Sequence, residues 1–360
     1  MHIRQRCVVI IVLIAATYFV YLWLSLPLLP GRAFPLGYYG WFDQSVYLRM
    51  AESMARFELP RRFYLYGPGY PILGAVFTVL YPYDPFFPPD TILWILFVYA
   101  WAFSYHFFLE RNEALYAVLL LVFATPVIHY FLIPWNNSVT AVSLALMTLI
   151  GTRAIANAKI DNRVGLAFGL LLGWSLSARY VDMLFMFPFA LVVLLHDRKN
   201  RPWKTPMGLM IAGISCFAAA LALSQALIFG SPLITPYAFH PPNQQDLSSY
   251  NVTKIPQTLF YNFLFHPFST FYTFIEAPML GQAFFFIFAP LGLIRPFRGR
   301  LLVFSLFFGF VMATLFYSSF IGLEATGSSL KYLALRYFHP WYPVLVILSI
   351  KGFRYIVGSR

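Results

Sequence analysis

The stretch Leu301–Phe320, LLVFSLFFGFVMATLFYSSF, runs its whole length without a charged residue. A helix needs about 20 predominantly apolar residues to cross a hydrocarbon layer about 30 Å thick. A closed barrel, the other structure that satisfies its backbone inside lipid, would instead show short segments of alternating polar and apolar residues. Leu301–Phe320 does not alternate, and neither does the second unbroken run, Ala114–Leu132. Membrane-crossing helices are therefore the reading. Composition agrees: 60% of residues are hydrophobic and 11% charged, where soluble domains carry about a quarter charged residues.

Working outward from these two runs, ten segments are expected to cross: Cys7–Leu29, Thr91–Leu109, Ala114–Leu132, Ser138–Ile155, Val164–Ala178, Met183–Leu195, Met207–Phe229, Ala277–Ile294, Leu301–Phe320 and Tyr337–Ile350. The expectation is an all-α, polytopic bundle forming one domain over residues 1–360. The first segment has a basic start (Arg4, Arg6) and an apolar body longer than a signal-peptide core of roughly 7–15 residues, with no small-residue cleavage site after it. It reads as a signal anchor that stays. Cys7 and Cys216 both fall inside apolar segments, so no disulfide framework is expected.

Net charge is +12, and its sidedness matters more than its size. If the N-terminus is cytoplasmic and the short apolar piece Tyr70–Leu80 does not cross, the inner loops collect most of the 25 basic residues, including Arg111, Arg153, Arg163, Arg298, Arg300, Lys351 and Arg354. If Tyr70–Leu80 did cross, every later loop would flip and HDRKNRPWK (196–204) would face out, against the positive-inside rule. Gly31–Asp90 is therefore expected to be one long external loop. Within it, GWFDQSVYLRMAESM (40–54) has helical spacing. Tyr47, Met50, Ala51, Met54 and Phe57 form an apolar face, and Gln44, Arg49, Glu52, Ser53 and Arg56 a polar one. Such a helix lies in the membrane interface, and Tyr70–Leu80 would be a greasier interfacial companion.

This order of elements resembles the GT-C superfamily of integral-membrane glycosyltransferases, most closely the bacterial members akin to protein mannosyltransferases and aminoarabinose transferases. Four stretches carry the likeness over nearly the whole chain: WFDQSVYLRMAESM (41–54), YGPGYPILGAVF (66–77), LIFGSPLITPY (Leu227–Tyr237) and LRYFHPWYPVLVIL (Leu335–Leu348). The resemblance implies a polyprenyl-phosphate-linked sugar as donor, a non-cytoplasmic active site, and Asp43 as the catalytic acid of the first loop. Two positions depart from the family pattern. Gln44 stands where Glu often follows the Asp, and Asn136 and Asn137 stand where a second external acid is common. Metal use in the superfamily goes with diphosphate-linked donors and paired external acids. The asparagines therefore favour a monophosphate-linked donor with no metal.

Inverting glycosyl transfer needs a base at the acceptor hydroxyl and stabilisation of the leaving phosphate. Asp43 is the expected base; its bland reading is a helix cap, and the two roles are compatible because a negative charge is favourable at a helix N-terminus. Arg336 is expected to grip the donor phosphate, since guanidinium matches phosphate oxygens in a fork, or else to anchor its span at the interface. Arg61 and Arg62 are further phosphate ligands or lipid contacts, and Lys331 a weaker phosphate ligand. Gln44, Asn136, Asn137, Arg179, Tyr237 and His339 complete the expected cavity and acceptor set. Arg179 also reads as an ion-pair partner of Asp182 three residues on. Glu276 and Glu324 are substitute bases if the first loop is misread. The seven histidines are scattered, none paired at metal-ligand spacing within a helix, so neither zinc nor any other cofactor is expected.

The outer loop Gly230–Glu276 is too long for a connector and too polar to span, and is expected to lid the cavity. The sequence thus points to a multi-pass protein of a prokaryotic inner or cell membrane, with cytoplasmic termini. Expected partners are the lipid-linked donor, membrane lipid and an acceptor of unspecified class, and not nucleic acid. Two other readings stand beside it. A flippase or transporter of lipid-linked glycans would carry its ionisable groups near mid-membrane, where these runs have almost none. A non-catalytic subunit of the same architecture is kept open by Gln44, Asn136 and Asn137.

Overall fold

The structure, a computed structural model, describes residues 2–25, 42–58, 61–123, 125–196, 203–233, 288–294, 296–320 and 339–358. Among these the chain is helical, with no strand. The helices are α1 (His2–Ser25), α2 (Phe42–Ala55), α3 (Pro71–Leu80), α4 (Phe87–Phe108), α5 (Arg111–Val122), α6 (Thr125–Leu132), α7 (Asn137–Ala156), α8 (Asn162–Ala178), α9 (Asp182–Leu194), α10 (Lys204–Phe229), α11 (Ala289–Gly292), α12 (Arg300–Phe320) and α13 (Tyr342–Val357). Short 3₁₀ turns cover Arg61–Phe63 and His339–Trp341.

Four described helices are long and apolar enough to cross a membrane: the Cys7–Ser25 part of α1, α4, α7 and α10. α12 keeps its expected length, and several of the other apolar segments are shorter for local reasons. The run expected as one span at Ala114–Leu132 is split into α5 and α6. Pro126 has no N–H to continue the backbone ladder of a single helix through this point. α9 holds Pro188 and ends after 13 residues. α3 has 10 residues and reaches about 15 Å, half the hydrocarbon thickness. Most of the outer loop and the first part of the expected span Ala277–Ile294 lie outside the described residues.

α7 is the central helix, with nearly every side chain from Asn137 to Leu149 buried. α4 packs along it, and its Trp94, Phe97, Trp101 and Tyr105 are all fully buried. α1 lies against α4, where the Trp94 indole donates to the Ala15 carbonyl at 3.0 Å and the Trp23 indole to Asp84 Oδ2 at 3.1 Å. α10 sits at the periphery and packs along α8 at backbone distance. A Cβ on Gly165 would fall 2.0 Å from the Pro206 carbonyl oxygen, and one on Gly169 2.3 Å from that of Met210. Small residues at four-residue spacing allow this approach, and van der Waals packing of the two backbones then holds the pair.

The two ends of the bundle differ. At one end α5 begins, and α4 and α13 finish. There Lys351 reaches Glu113 at 3.1 Å, Arg354 pairs with Glu110 and Glu113, Arg298 lies over the Phe107 ring at 4.7 Å and Arg153 over Phe103 at 4.9 Å. At the other end α8 and α10 finish and α7 begins, and there the turn after α2 bonds the end of α10 and the loop before α3 bonds the end of α8.

Candidate functional site

α2 is the element that presents Asp43. Its buried face is wider than helical spacing predicts. Tyr47, Met50 and Ala51 are buried as expected, but Gln44, Val46 and Ser53 are buried as well. The expected polar face therefore keeps only Arg49, Glu52 and Arg56. The cause is that α2 touches protein on two sides. Val46 and Met50 meet Tyr64, Ile228 and Phe229, while Tyr47 and Ala51 join the main core. Phe57, expected on the apolar face, falls beyond the helix end in a left-handed conformation (φ 56°) and is 93% exposed. It is the residue after the cap, and the Glu58 N–H reaches back to the Ser53 carbonyl at 2.9 Å, the reversal that closes a helix.

Asp43 is half-buried in the first turn of α2, inside the helix rather than before it. Its Oδ1 accepts a hydrogen bond from the Tyr66 hydroxyl. Tyr66 opens the run Tyr66-Gly67-Pro68-Gly69-Tyr70, which is fastened to the end of α8. The Gly69 N–H donates to the Ser177 carbonyl at 3.0 Å, and the Trp174 indole donates to the Gly69 carbonyl at 3.2 Å. A Cβ at Gly67 would fall 2.2 Å from the Ser177 carbonyl oxygen, so only glycine allows the loop to lie there. The Tyr66 ring packs on Tyr47 at 5.0 Å between centroids, and Tyr47 on Tyr70 at 5.3 Å. The Tyr70 hydroxyl then lies 2.9 Å from Oδ2 of the buried Asp90. Neither Tyr66 nor the Tyr70–Asp90 pair stands out in the sequence. The one signal was that both tyrosines flank a Gly-Pro-Gly, which marks a turn and not a role.

The other expected site residues divide into four groups. Arg61 and Arg62 are exposed on the 3₁₀ turn after α2. Arg61 Nε donates to the Ile228 carbonyl at 3.0 Å, which joins this turn to the end of α10, and Arg62 lies over the Phe63 ring at 4.8 Å. Gln44, Asn136, Asn137 and His339 are buried and packed into the bundle. Gln44 Nε2 donates to the Pro134 carbonyl at 3.0 Å, and its Oε1 has no hydrogen-bond partner among the described residues. The Asn136 amide donates to the Ala178 carbonyl at 3.2 Å. His339 stacks on Tyr130 at 5.3 Å and meets Phe131 edge-on. Gln44 and Asn136 thus each make a backbone contact that ties the end of one element to another. Arg179 pairs with Asp182 at 3.6 Å, both largely buried, and the Thr140 hydroxyl donates to the same carboxylate oxygen at 2.6 Å. Arg336, Lys331 and Tyr237 lie outside the described residues, as do Glu276 and Glu324.

Two phenols at this end are held neutral. Burial pushes Tyr180 up to about 12, against the opposing effect of a hydrogen bond from Gln225. Burial also raises Tyr64, whose Ser53 hydrogen bond acts the other way. Tyr64 donates to the Glu58 carbonyl at 3.2 Å, which secures the turn that leaves α2. Among the described residues no three His, Cys, Asp or Glu side chains are grouped to hold a metal ion.

The geometry therefore places the half-buried Asp43 carboxylate, the Tyr66 phenol bonded to it and the two exposed guanidinium groups of Arg61 and Arg62 at the same end of a membrane helical bundle. Compared with known proteins, the chain matches no family model, no curated protein and no solved structure.

Proposed function

We propose that this protein is a membrane glycosyltransferase that moves a sugar from a polyprenyl-phosphate-linked donor to an acceptor hydroxyl on the non-cytoplasmic face. The observation that carries the reading is the placement of Asp43. The Asp43 carboxylate is presented in the first turn of a short helix at one end of the bundle, held by the Tyr66 hydroxyl, with Arg61 and Arg62 on the turn that follows.

In the proposed reaction the Asp43 carboxylate takes the proton of the acceptor hydroxyl. The acceptor oxygen attacks the anomeric carbon from the face opposite the phosphate. The bond from that carbon to the phosphate oxygen breaks, and the lipid phosphate leaves with the electron pair. Cations near the leaving oxygen stabilise its charge. Arg61 and Arg62 are the described groups for this task, with Arg336 and Lys331 beside them in the same proposal. The hydrophobic outer surface of the bundle receives the prenyl chain. Orientation is supported by charge. The basic groups Arg153, Arg298, Lys351 and Arg354 cluster at the end opposite Asp43, which the positive-inside rule assigns to the cytoplasm. This sidedness is consistent with ten crossings.

The test is transfer of radiolabelled sugar in membranes from a panel of polyprenyl-phosphate sugars, comparing wild type with Asp43→Asn at equal expression. Transfer by the wild type, reduced about a hundredfold to ten-thousandfold in Asp43→Asn, is the expected result for loss of a base. Equal transfer by both would assign Asp43 to the helix alone and send the search for the base to Glu276 or Glu324.

A further inference from the structure

A carboxylate on a short helix at the end of a bundle is poorly placed to act as a base unless something fixes it. Asp43 has two rotatable side-chain bonds, and α2 itself has only 14 residues. General-base catalysis is sensitive to such freedom, because a displacement of about 1 Å from the productive geometry can cost about a hundredfold in rate. Tyr66 supplies the constraint. Its hydroxyl bonds Asp43 Oδ1, and its ring lies against Tyr47, one turn further along the same helix. The phenol therefore grips α2 at both its reactive residue and its neighbouring turn. Behind Tyr66 the chain is fastened, since Gly67 and Gly69 lie against the α8 backbone at Ser177, the Gly69 N–H donates to the Ser177 carbonyl and the Trp174 indole donates to the Gly69 carbonyl.

We infer that Tyr66 is the positioning residue for Asp43: its phenol sets the rotation of the carboxylate and registers α2 against the fixed end of α8. The inference rests on the glycosyltransferase reading of Asp43. It goes beyond that reading by assigning a role to a residue with no catalytic chemistry of its own. Tyr66 acts through Asp43, whose Oδ1 it bonds, and is given no contact with the donor or acceptor. The aromatic ring and the hydroxyl have separable tasks, the ring packing on Tyr47 and the hydroxyl orienting the carboxylate.

Tyr66→Phe removes the hydroxyl and keeps the ring. The measurement is steady-state sugar transfer by the full chain in membranes, with thermal unfolding of the same purified variant in detergent. The expected result is a fall in kcat of about tenfold to a hundredfold, with KM for donor and acceptor held within about twofold and the unfolding temperature unchanged. Wild-type kcat in Tyr66→Phe overturns the inference. So does a joint fall of kcat and unfolding temperature, because a purely structural tyrosine would behave that way. If Tyr66→Phe does not accumulate, Trp174→Phe takes its place, since it removes the indole bond to Gly69 and leaves the phenol. A fall in kcat with KM held then supports the inference, and no fall overturns it. The two levels separate cleanly. No transfer by the wild type from any donor removes the glycosyltransferase reading and this inference with it. Transfer that depends on Asp43 and is indifferent to the Tyr66 hydroxyl removes the inference alone.

Discussion

The Asp182 carboxylate, buried at the start of α9, receives the Thr140 hydroxyl at 2.6 Å and the Arg179 guanidinium at 3.6 Å. Removing one side of a buried charge pair costs about 3–5 kcal/mol, because the remaining group stays desolvated without its partner. Asp182→Ala is expected to fall near the lower end of that range, about 3 kcal/mol, since Arg179 keeps slight access to solvent. Thr140→Val removes one donor to the same oxygen and is expected to cost about 1–2 kcal/mol. Thermal unfolding in detergent, followed by tryptophan fluorescence, checks both, and wild-type stability in Asp182→Ala would refute the account. Half of this cluster was legible in the sequence, as an acid and a base at i, i+3. Thr140 was not, because it lies 42 residues away in sequence and joins them only once α7 and α9 have packed.

At the scale of elements, α8 and α10 show how small residues decide an interface. Gly169 meets Gly213 and the Met210 carbonyl at backbone distance. A branched side chain there must push the helices apart and lose the dispersion contacts along their length. Gly169→Val is expected to destabilise by at least about 3 kcal/mol, the upper range of ordinary overpacking, because the obstacle is backbone and cannot rotate away. Gly208, on the same helix α10, has no atom within 4 Å of an added Cβ. Gly208→Ala is expected to stabilise by about 0.5–1 kcal/mol through helix propensity alone. Thermal unfolding of the two variants side by side tests the assignment. Similar effects of both substitutions would mean that α8 and α10 are not in backbone contact.

At the scale of the whole molecule, the end opposite Asp43 carries a clasp between residues 238 to 244 positions apart in the chain. Glu113 receives Lys351 and Arg354, and Glu110 receives Arg354. Burial pushes the Glu113 carboxyl upward, but the Glu110 N–H, the Lys351 hydrogen bond and the charges of Lys351 and Arg354 outweigh it and hold the group below the usual value of 4.5. The sign follows from linkage. A carboxyl whose folded value is depressed adds stability that is fully present above its unfolded value and lost as pH falls through the folded one. The protein is therefore expected to lose thermal stability on acidification from about 5 toward 3, and Glu113→Gln to flatten that part of the profile while lowering stability at neutral pH. Unfolding temperatures measured across that window, in the same lipid or detergent, decide the matter. An identical slope in both proteins would remove Glu113 from the clasp. The clasp also bears on sidedness, because it places the start of α5 and the end of α13 at one end, as the distribution of basic residues requires.

The charge-free runs and the asymmetry of basic residues determined, without any structure, that the chain is a helical membrane protein and that α3 is too short to cross. Both are properties of transfer free energy summed along a local segment, and the bilayer supplies the missing partner. The sequence also singled out Asp43, through its position at the head of an amphipathic helix and through resemblance. Tertiary structure alone decided what surrounds it. Gln44 and Ser53 read as a polar face because spacing assumes one buried side, whereas α2 is covered on two. Tyr66 looked like one tyrosine among 24 until the fold of Gly67 and Gly69 against α8 brought its hydroxyl to Asp43. Hydrogen bonds between distant residues depend on which backbones can approach one another. That is set by packing at glycines and side-chain volumes over the whole bundle, and no local pattern records it.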